Sequence, residues 1–353
     1  MTPSLGDRLR AALLDSGRAW PLVFLLAGVG LGVGRYNDLV WGNAAVNPDM
    51  RRMFRPIAEG VAAGGQLYGP GLADNKPPGW QLVNVAAELT GEYTLAMLLV
   101  VGLANGLAAT LLYRWLDRAG PRFVAVAAAT LFLLALPLLG GNTVNSRPLA
   151  VPFLLAALAA SRPVLRGAAV AVAALVNAYA GTFVPLLLWL VWRGSPQPRR
   201  DAVTYLAGGA AVAAFAFGAV AAGWGFDAML AALHWSYGVP LADGVATGAV
   251  HPAAVAPGSY LTATWLLTEP ATWAGYVTSV VWQLFPLLAL AALGVFARDR
   301  LPWPPALAGV LALALATGLV PFLVRAYEQY WQLVLPFLAA FAAGGLAVLL
   351  DAE

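Results

Sequence analysis

The chain has 353 residues, of which 61% are hydrophobic and only 10% are charged, and its mean hydropathy is +0.75. Soluble domains average about 45–50% apolar and about 25% charged residues, so this composition excludes a water-soluble globule. A formal charge of +3, with no basic tract interleaved with aromatics, excludes a nucleic-acid binder. The absence of cysteine removes disulfides, thiolate metal sites and cysteine nucleophiles.

The apolar runs are long and continuous, which predicts membrane-spanning helices and not an outer-membrane barrel. At about 20 residues per crossing plus loops, the length holds roughly 8–11 spans. The expected fold class is therefore an all-α integral membrane protein, a polytopic helix bundle. With no internal repeat in view, residues 1–353 read as a single transmembrane domain.

Taken in order, the first predicted span is Trp20–Gly34. Arg8, Arg10 and Arg18 precede it and imitate a signal peptide. With so many spans behind it, the segment reads as a retained signal anchor. Next come Thr94–Trp115, Phe123–Leu139 and a short span at Pro148–Ala160. An unbroken apolar stretch follows from Gly167 to Trp192, then Ala202–Ala222, Ala274–Phe296, Ala306–Leu323 and Tyr330–Leu350.

Arginine placement orients the set. Arg114, Arg118 and Arg122 separate the second and third spans. Arg162 and Arg166 precede the Gly167–Trp192 stretch, Arg193, Arg199 and Arg200 follow it, and Arg298 and Arg300 lie further on. By the positive-inside rule these residues face the cytoplasm. Both ends of Gly167–Trp192 are then cytoplasmic, yet the stretch is too short to cross twice at full thickness. It should be two short helices broken near Tyr179–Thr182, which membrane depth permits only where protein or a cavity covers the backbone. The count becomes about ten spans with both termini cytoplasmic, in a multi-pass protein of the cell membrane. Trp41, Trp80, Trp115 and Trp192 read as interfacial aromatics.

Two long segments stay outside, residues 35–93 and 223–273. In the first, Asn47-Pro48 is a turn and helix-start signal ahead of Asp49. The residues after it predict an amphipathic helix lying in the interface, with Arg51, Arg52 and Arg55 on its exposed side against anionic headgroups. Gly64-Gly65 stops it. Lys76 is the chain's single lysine. Pro77-Pro78 stiffens its approach, and an apolar helix begins at about Gly79. A cation at a positive helix end is unfavourable unless an anion fills the gap, and phosphate suits that place. The alternative is a snorkelling lysine paired with Asp74.

These residues carry a resemblance. Asp49, Arg51, Glu59, Gly65, Tyr68, Asp74 and Lys76-Pro77-Pro78 together resemble the first external loop of GT-C glycosyltransferases, nearest the branch of protein O-mannosyltransferases and lipid A aminoarabinose transferases. The segment Arg325-Ala326-Tyr327-Glu328-Gln329-Tyr330, leading to Leu335-Pro336-Phe337, resembles a second motif of that branch. The resemblance implies a sugar moved from a polyprenyl-phosphate donor, mannose being the expected hexose, to an acceptor hydroxyl on the external face. It makes Asp49 the catalytic carboxylate and Lys76 and Arg325 ligands of the donor phosphate. The chain departs from the branch in having Met50 after Asp49, where Asp-Glu is usual, and Asn145-Ser146-Arg147 where an acid often opens the fourth span.

The chemistry suits such groups. A carboxylate accepts the hydroxyl proton, cations hold the leaving phosphate, and one displacement inverts the anomeric centre. With no Asp-x-Asp and only two histidines, no metal and no cofactor are expected. Asp38, nearer the end of the first span, competes with Asp49 as the base. Arg147 should face the same side, as a phosphate ligand or a headgroup anchor. Glu328 and Tyr330 join the pocket candidates, though Arg325 and Glu328 are also spaced for a local ion pair. Asn177 and Tyr179 mark the expected break. His234 and His251 lie with Trp235, Tyr237, Asp227 and Asp243 in the second loop, which would cover an acceptor. The expected partners are membrane lipids, a lipid-linked sugar and a glycan, protein or lipid acceptor. A polytopic transporter or lipid flippase is the other class, but it calls for polar groups at mid-depth and paired repeats. The charged candidates instead gather on one face.

Overall fold

The structure is a computed structural model and describes residues 17–42, 44–239, 265–324 and 326–350. The described residues are helices and connecting turns without a strand. Arg325 lies outside them, as do Arg8, Arg10, Asp243 and His251.

Helix α1 (Trp20–Val40) overruns its predicted end by more than a turn. The first long loop then forms a π-helical turn (Met50–Phe54), α2 (Arg55–Ala62) and α3 (Pro78–Glu88). The bundle continues with α4 (Tyr93–Asp117), α5 (Arg122–Ala135) and α6 (Ser146–Ala159). The Gly167–Trp192 stretch is broken where expected: α7 (Pro163–Val176) ends at Asn177, a 3₁₀ turn covers Ala178–Thr182, and α8 (Phe183–Gly194) follows. Helix α9 (Pro198–Trp224) leads to α10 (Phe226–Tyr237), which opens the second long segment. After a short turn, α11 (Trp265–Thr268), come α12 (Pro270–Gln283), α13 (Phe285–Phe296), α14 (Pro305–Val324) and α15 (Leu335–Leu350).

Three expectations are corrected. Ala274–Phe296 is not one continuous helix: α12 and α13 meet at 87°, because Pro286, in the first turn of α13, cannot donate back into α12. The final span does not start at Tyr330. A 3₁₀ segment occupies Glu328–Leu333, and Pro336 limits how far α15 extends backwards. Trp80 is no interfacial anchor. It is fully buried, with its ring edge-on to Phe54 at 5.1 Å, whereas Trp41 is 85% exposed as a belt residue should be.

Among the described residues four helices, α1, α4, α9 and α14, are long and apolar enough to cross a membrane, or up to five if the bent pair α12–α13 is one span. The shorter apolar helices α5, α6 and α7 have 14 residues each. At about 1.5 Å per residue they fall short of a ~30 Å hydrocarbon core. Their ends therefore meet inside the protein, where other chain segments must satisfy them.

Close helix contacts rest on glycine. A Cβ on Gly28 of α1 would lie 2.4 Å from the Gly106 nitrogen of α4, and one on Gly167 of α7 would lie 1.8 Å from the Tyr205 carbonyl of α9. Small residues of this kind bring helix backbones together in membranes, where lipid gives no hydrophobic drive for association. Helix α15 is buried on nearly every face.

Gly167→Ala should destabilise the protein by about 1–3 kcal/mol or more, since the backbone carbonyl it meets cannot turn aside. Gly218→Ala, which meets nothing within 4 Å, should be neutral or stabilising by up to about 1 kcal/mol. Thermal unfolding in detergent micelles compares the two.

Candidate active site

The site forms where the broken helix ends face the first external loop. Asn47 fixes its entrance. Its Oδ1 accepts the Asp49 amide at 3.0 Å and its Nδ2 donates to the Val144 carbonyl at 2.9 Å, tying this loop to the α5–α6 connection. Asp49 is thereby held exposed at the start of the π turn. That turn and α2 bury Met50, Met53, Phe54, Ile57, Ala58 and Val61 and leave Arg51 and Arg52 in solvent. The π geometry, rare and often found at functional sites, places both Met53 and Phe54 on the cavity wall.

Lys76 is held by its backbone. Its carbonyl accepts the Tyr68 hydroxyl at 2.6 Å and the Ser236 hydroxyl, from α10, at 3.2 Å. Tyr68 is fully buried and adopts φ 62°, the one left-handed non-glycine residue among those described. Such a backbone costs on the order of 1–3 kcal/mol, so the surrounding contacts must hold it in place. Burial raises the Tyr68 hydroxyl well above the ordinary phenol range, which keeps it a donor. Pro77 is extended and Pro78 opens α3. Gly79 lets α3 press onto α7, where a Cβ would come within 2.7 Å of the Leu175 carbonyl. The ammonium donates to Asn75 Oδ1 at 3.0 Å and lies 5.8 Å from the centre of the Phe54 ring. Asp74 is fully buried and accepts the Asn75 amide at 2.6 Å and Gln81 Nε2 at 3.2 Å, so it stiffens this turn.

Arg147, in the first turn of α6, is the strongest electrostatic feature. It is 5% exposed, and among the described residues no carboxylate pairs with it. Asn145 Oδ1 accepts both its backbone amide, at 3.1 Å, and its Nη1, at 2.9 Å. The guanidinium lies 4.0 Å over the Tyr330 ring, while its Nε has no partner. Asn145 Nδ2 donates to Gln329 Oε1. Tyr330 in turn packs on Tyr179, ring centres 4.9 Å apart and hydroxyls 3.3 Å apart. A buried, unneutralised guanidinium is costly unless a ligand supplies the missing charge.

These groups line one cavity of about 520 Å³. Asp49, Lys76, Arg147, Glu328 and Tyr330 all border it, with Asn145, Gln329, Tyr276 and Tyr327. Asp49 acts electrostatically on Arg147. A narrow recess of about 20 Å³ joins Lys76 to Arg147, Asn177 and Tyr179. A cavity of about 560 Å³ opens elsewhere, beside Arg166 and Asp201. There the arginine caps the Ala157 and Ala160 carbonyls and the aspartate accepts Ser195, so its charges are already occupied.

Other predicted site residues lie apart. Asp38 is exposed on the last turn of α1 and does not border the cavity. Glu59 faces solvent and pairs with Arg55 at 2.9 Å. Tyr68 and Asp74 sit beneath Lys76 rather than in the cavity wall. His234 bonds the Val239 carbonyl through Nδ1 at 2.9 Å and meets Trp235 edge-on. Arg325 lies outside the described residues. Asn75 and Tyr276 were missed by the sequence reading, and Asn47, Asn145, Tyr327 and Gln329 entered it only within turn or motif segments, without a site role. Amides carry no charge to flag them, and the one available signal was their clustering beside turns and helix breaks.

No protein-family model matches the sequence, and no curated protein matches it. Among solved structures, the fold is similar to that of ArnT from Cupriavidus metallidurans bound to undecaprenyl phosphate, with a TM-score of 0.54 and 18% sequence identity. The match covers 96% of this chain and 60% of ArnT, so the chain spans well under two thirds of that protein's length. The likeness shows a shared helical membrane fold.

Tyr68→Phe should cost about 1 kcal/mol, since Ser236 still satisfies the Lys76 carbonyl. The double variant Tyr68→Phe, Ser236→Ala leaves that carbonyl bare and should cost more than the two single changes added together. A double-mutant cycle by denaturant unfolding measures the difference.

Proposed function

We propose that the protein is a membrane glycosyltransferase, with the site on the external face and both termini in the cytoplasm. It moves a sugar, most simply a hexose such as mannose, from a polyprenyl-phosphate donor to an acceptor hydroxyl. The observation that carries this reading is the unneutralised Arg147 guanidinium, buried in the same cavity wall as Lys76 and Asp49. The fold it shares with ArnT, a protein solved with undecaprenyl phosphate bound, supports the choice of donor.

In this mechanism the donor enters from the outer leaflet and its phosphate lies between Lys76 and Arg147. Asp49 accepts the proton of the attacking hydroxyl as its oxygen bonds to the anomeric carbon. The bond from that carbon to the phosphate oxygen breaks, and its electron pair stays on the departing polyprenyl phosphate. The two cations stabilise the charge gathering there. One displacement inverts the anomeric centre. Because side chains supply the positive charge, the reaction is proposed to run without a divalent metal.

Transfer of radiolabel from polyprenyl-phosphate mannose and glucose to membrane extract, by purified protein in lipid, tests the proposal. Asp49→Asn should lower kcat by about 10²–10⁴-fold, whereas Lys76→Ala should mainly raise the KM for the donor. EDTA should leave the rate unchanged. An undiminished Asp49→Asn variant would remove Asp49 from the base role and leave Glu328 as the other carboxylate bordering the cavity. Loss of activity with EDTA would end the metal-free mechanism.

A further inference from the structure

Asn145 is the hydrogen-bond partner on which the Arg147 guanidinium rests, and its identity runs against local electrostatics. Its amide orientation is fixed by its neighbours. The Arg147 backbone N–H and Nη1 are obligate donors, so Oδ1 must face them and Nδ2 must face Gln329. An aspartate would occupy the same volume, accept the same two bonds and cap α6 equally well. Gln329 could satisfy the second oxygen by turning its own amide. The carboxylate would also complement the helix N-terminus and pair a guanidinium that is 5% exposed. Two contributions to stability thus favour Asp at position 145, and the chain has Asn.

We infer that Asn145 is the residue that sets the charge specificity of the cavity. By holding Arg147 with a neutral acceptor, it fixes the guanidinium's geometry and leaves its positive charge for an anionic headgroup. The inference rests on the proposed phosphate-bearing donor and adds a residue not otherwise part of that reading. Asn145 acts through Arg147 and is a positioning residue. Its neutrality, rather than its hydrogen bonds alone, is what the site uses. The Arg147 Nε is itself buried without a partner, and the residue borders the recess that also touches Lys76.

The test uses the full chain in phosphatidylcholine nanodiscs and undecaprenyl phosphate as the probe. Affinity and thermal stability are measured for the wild type, Asn145→Asp and Asn145→Ser. The expected result is a pair of opposite shifts in Asn145→Asp. Its Tm rises by roughly 2 °C, while it binds the lipid at least about tenfold more weakly. Asn145→Ser, a neutral cap, should stay within about threefold of wild-type affinity, equivalent to about 0.7 kcal/mol. If Asn145→Asp binds as tightly as a wild type that does bind, the inference fails and the donor reading stands. If Asn145→Asp loses stability and binding together, Asn145 is only structural and the inference again fails. A wild type that does not bind the lipid overturns the donor reading and the inference with it.

Discussion

Backbone polar groups at membrane depth need partners, and this protein meets that demand at one place with side-chain amides. The connection between α5 and α6 is the keystone. Gln332 donates to the Leu139 carbonyl at 2.7 Å, Asn105 to Gly141 at 2.8 Å and Asn47 to Val144 at 2.9 Å. Asn177, at the end of α7, donates to Ser146 at 2.8 Å. Two helices, α4 and α7, the first long loop and the approach to α15 are thus pinned to residues 139–146. Where so many helices stop, side chains cannot fill the space, and the cavity follows from the breaks. These carbonyls need donors, and neutral amides supply them without adding a charge beside the cations of the cavity. Fold and chemistry share this origin.

What was legible in the sequence followed from charge and length. The break at Asn177 could be read because arginines at both ends forced the stretch to return to the same side. Lys76 stood out as a lone lysine before two prolines, and the structure sets it beside the start of α3 as read. The bend between α12 and α13 was hidden because the apolar run is unbroken, and a proline in a first helical turn is as compatible with a straight start as with a corner. Trp80 was misread because its position near a predicted membrane boundary could not show that the external loop folds over it. The amide lattice was illegible for a stronger reason: contacts such as Asn145 with Gln329 join distant parts of the chain, and neutral polar residues leave no periodic trace.

The likeness to ArnT is one of fold, and at 18% identity the chemistry must be argued from this chain's own residues. Those residues form a consistent set. Asp49 is exposed to the cavity through a loop held by Asn47, Lys76 is placed by the strained Tyr68, and Arg147 is buried on Tyr330. Each of these charged groups is held by hydrogen bonds or ring contacts from neutral neighbours, with the buried Asp74 stiffening the turn before Lys76. A transporter would instead need polar groups along a path through the bilayer, whereas these charges border a single cavity at the ends of broken helices.

The most direct test of the central claim is a photo-crosslink with a polyprenyl phosphate carrying a diazirine on its first isoprene unit, mapped by peptide mass spectrometry in lipid vesicles. The account predicts labelling in residues 47–54 and 327–330, lost on competition with unlabelled polyprenyl phosphate and not with phosphatidylglycerol. Label confined to the helices around Arg166 and Asp201, or competed equally by phosphatidylglycerol, would contradict it.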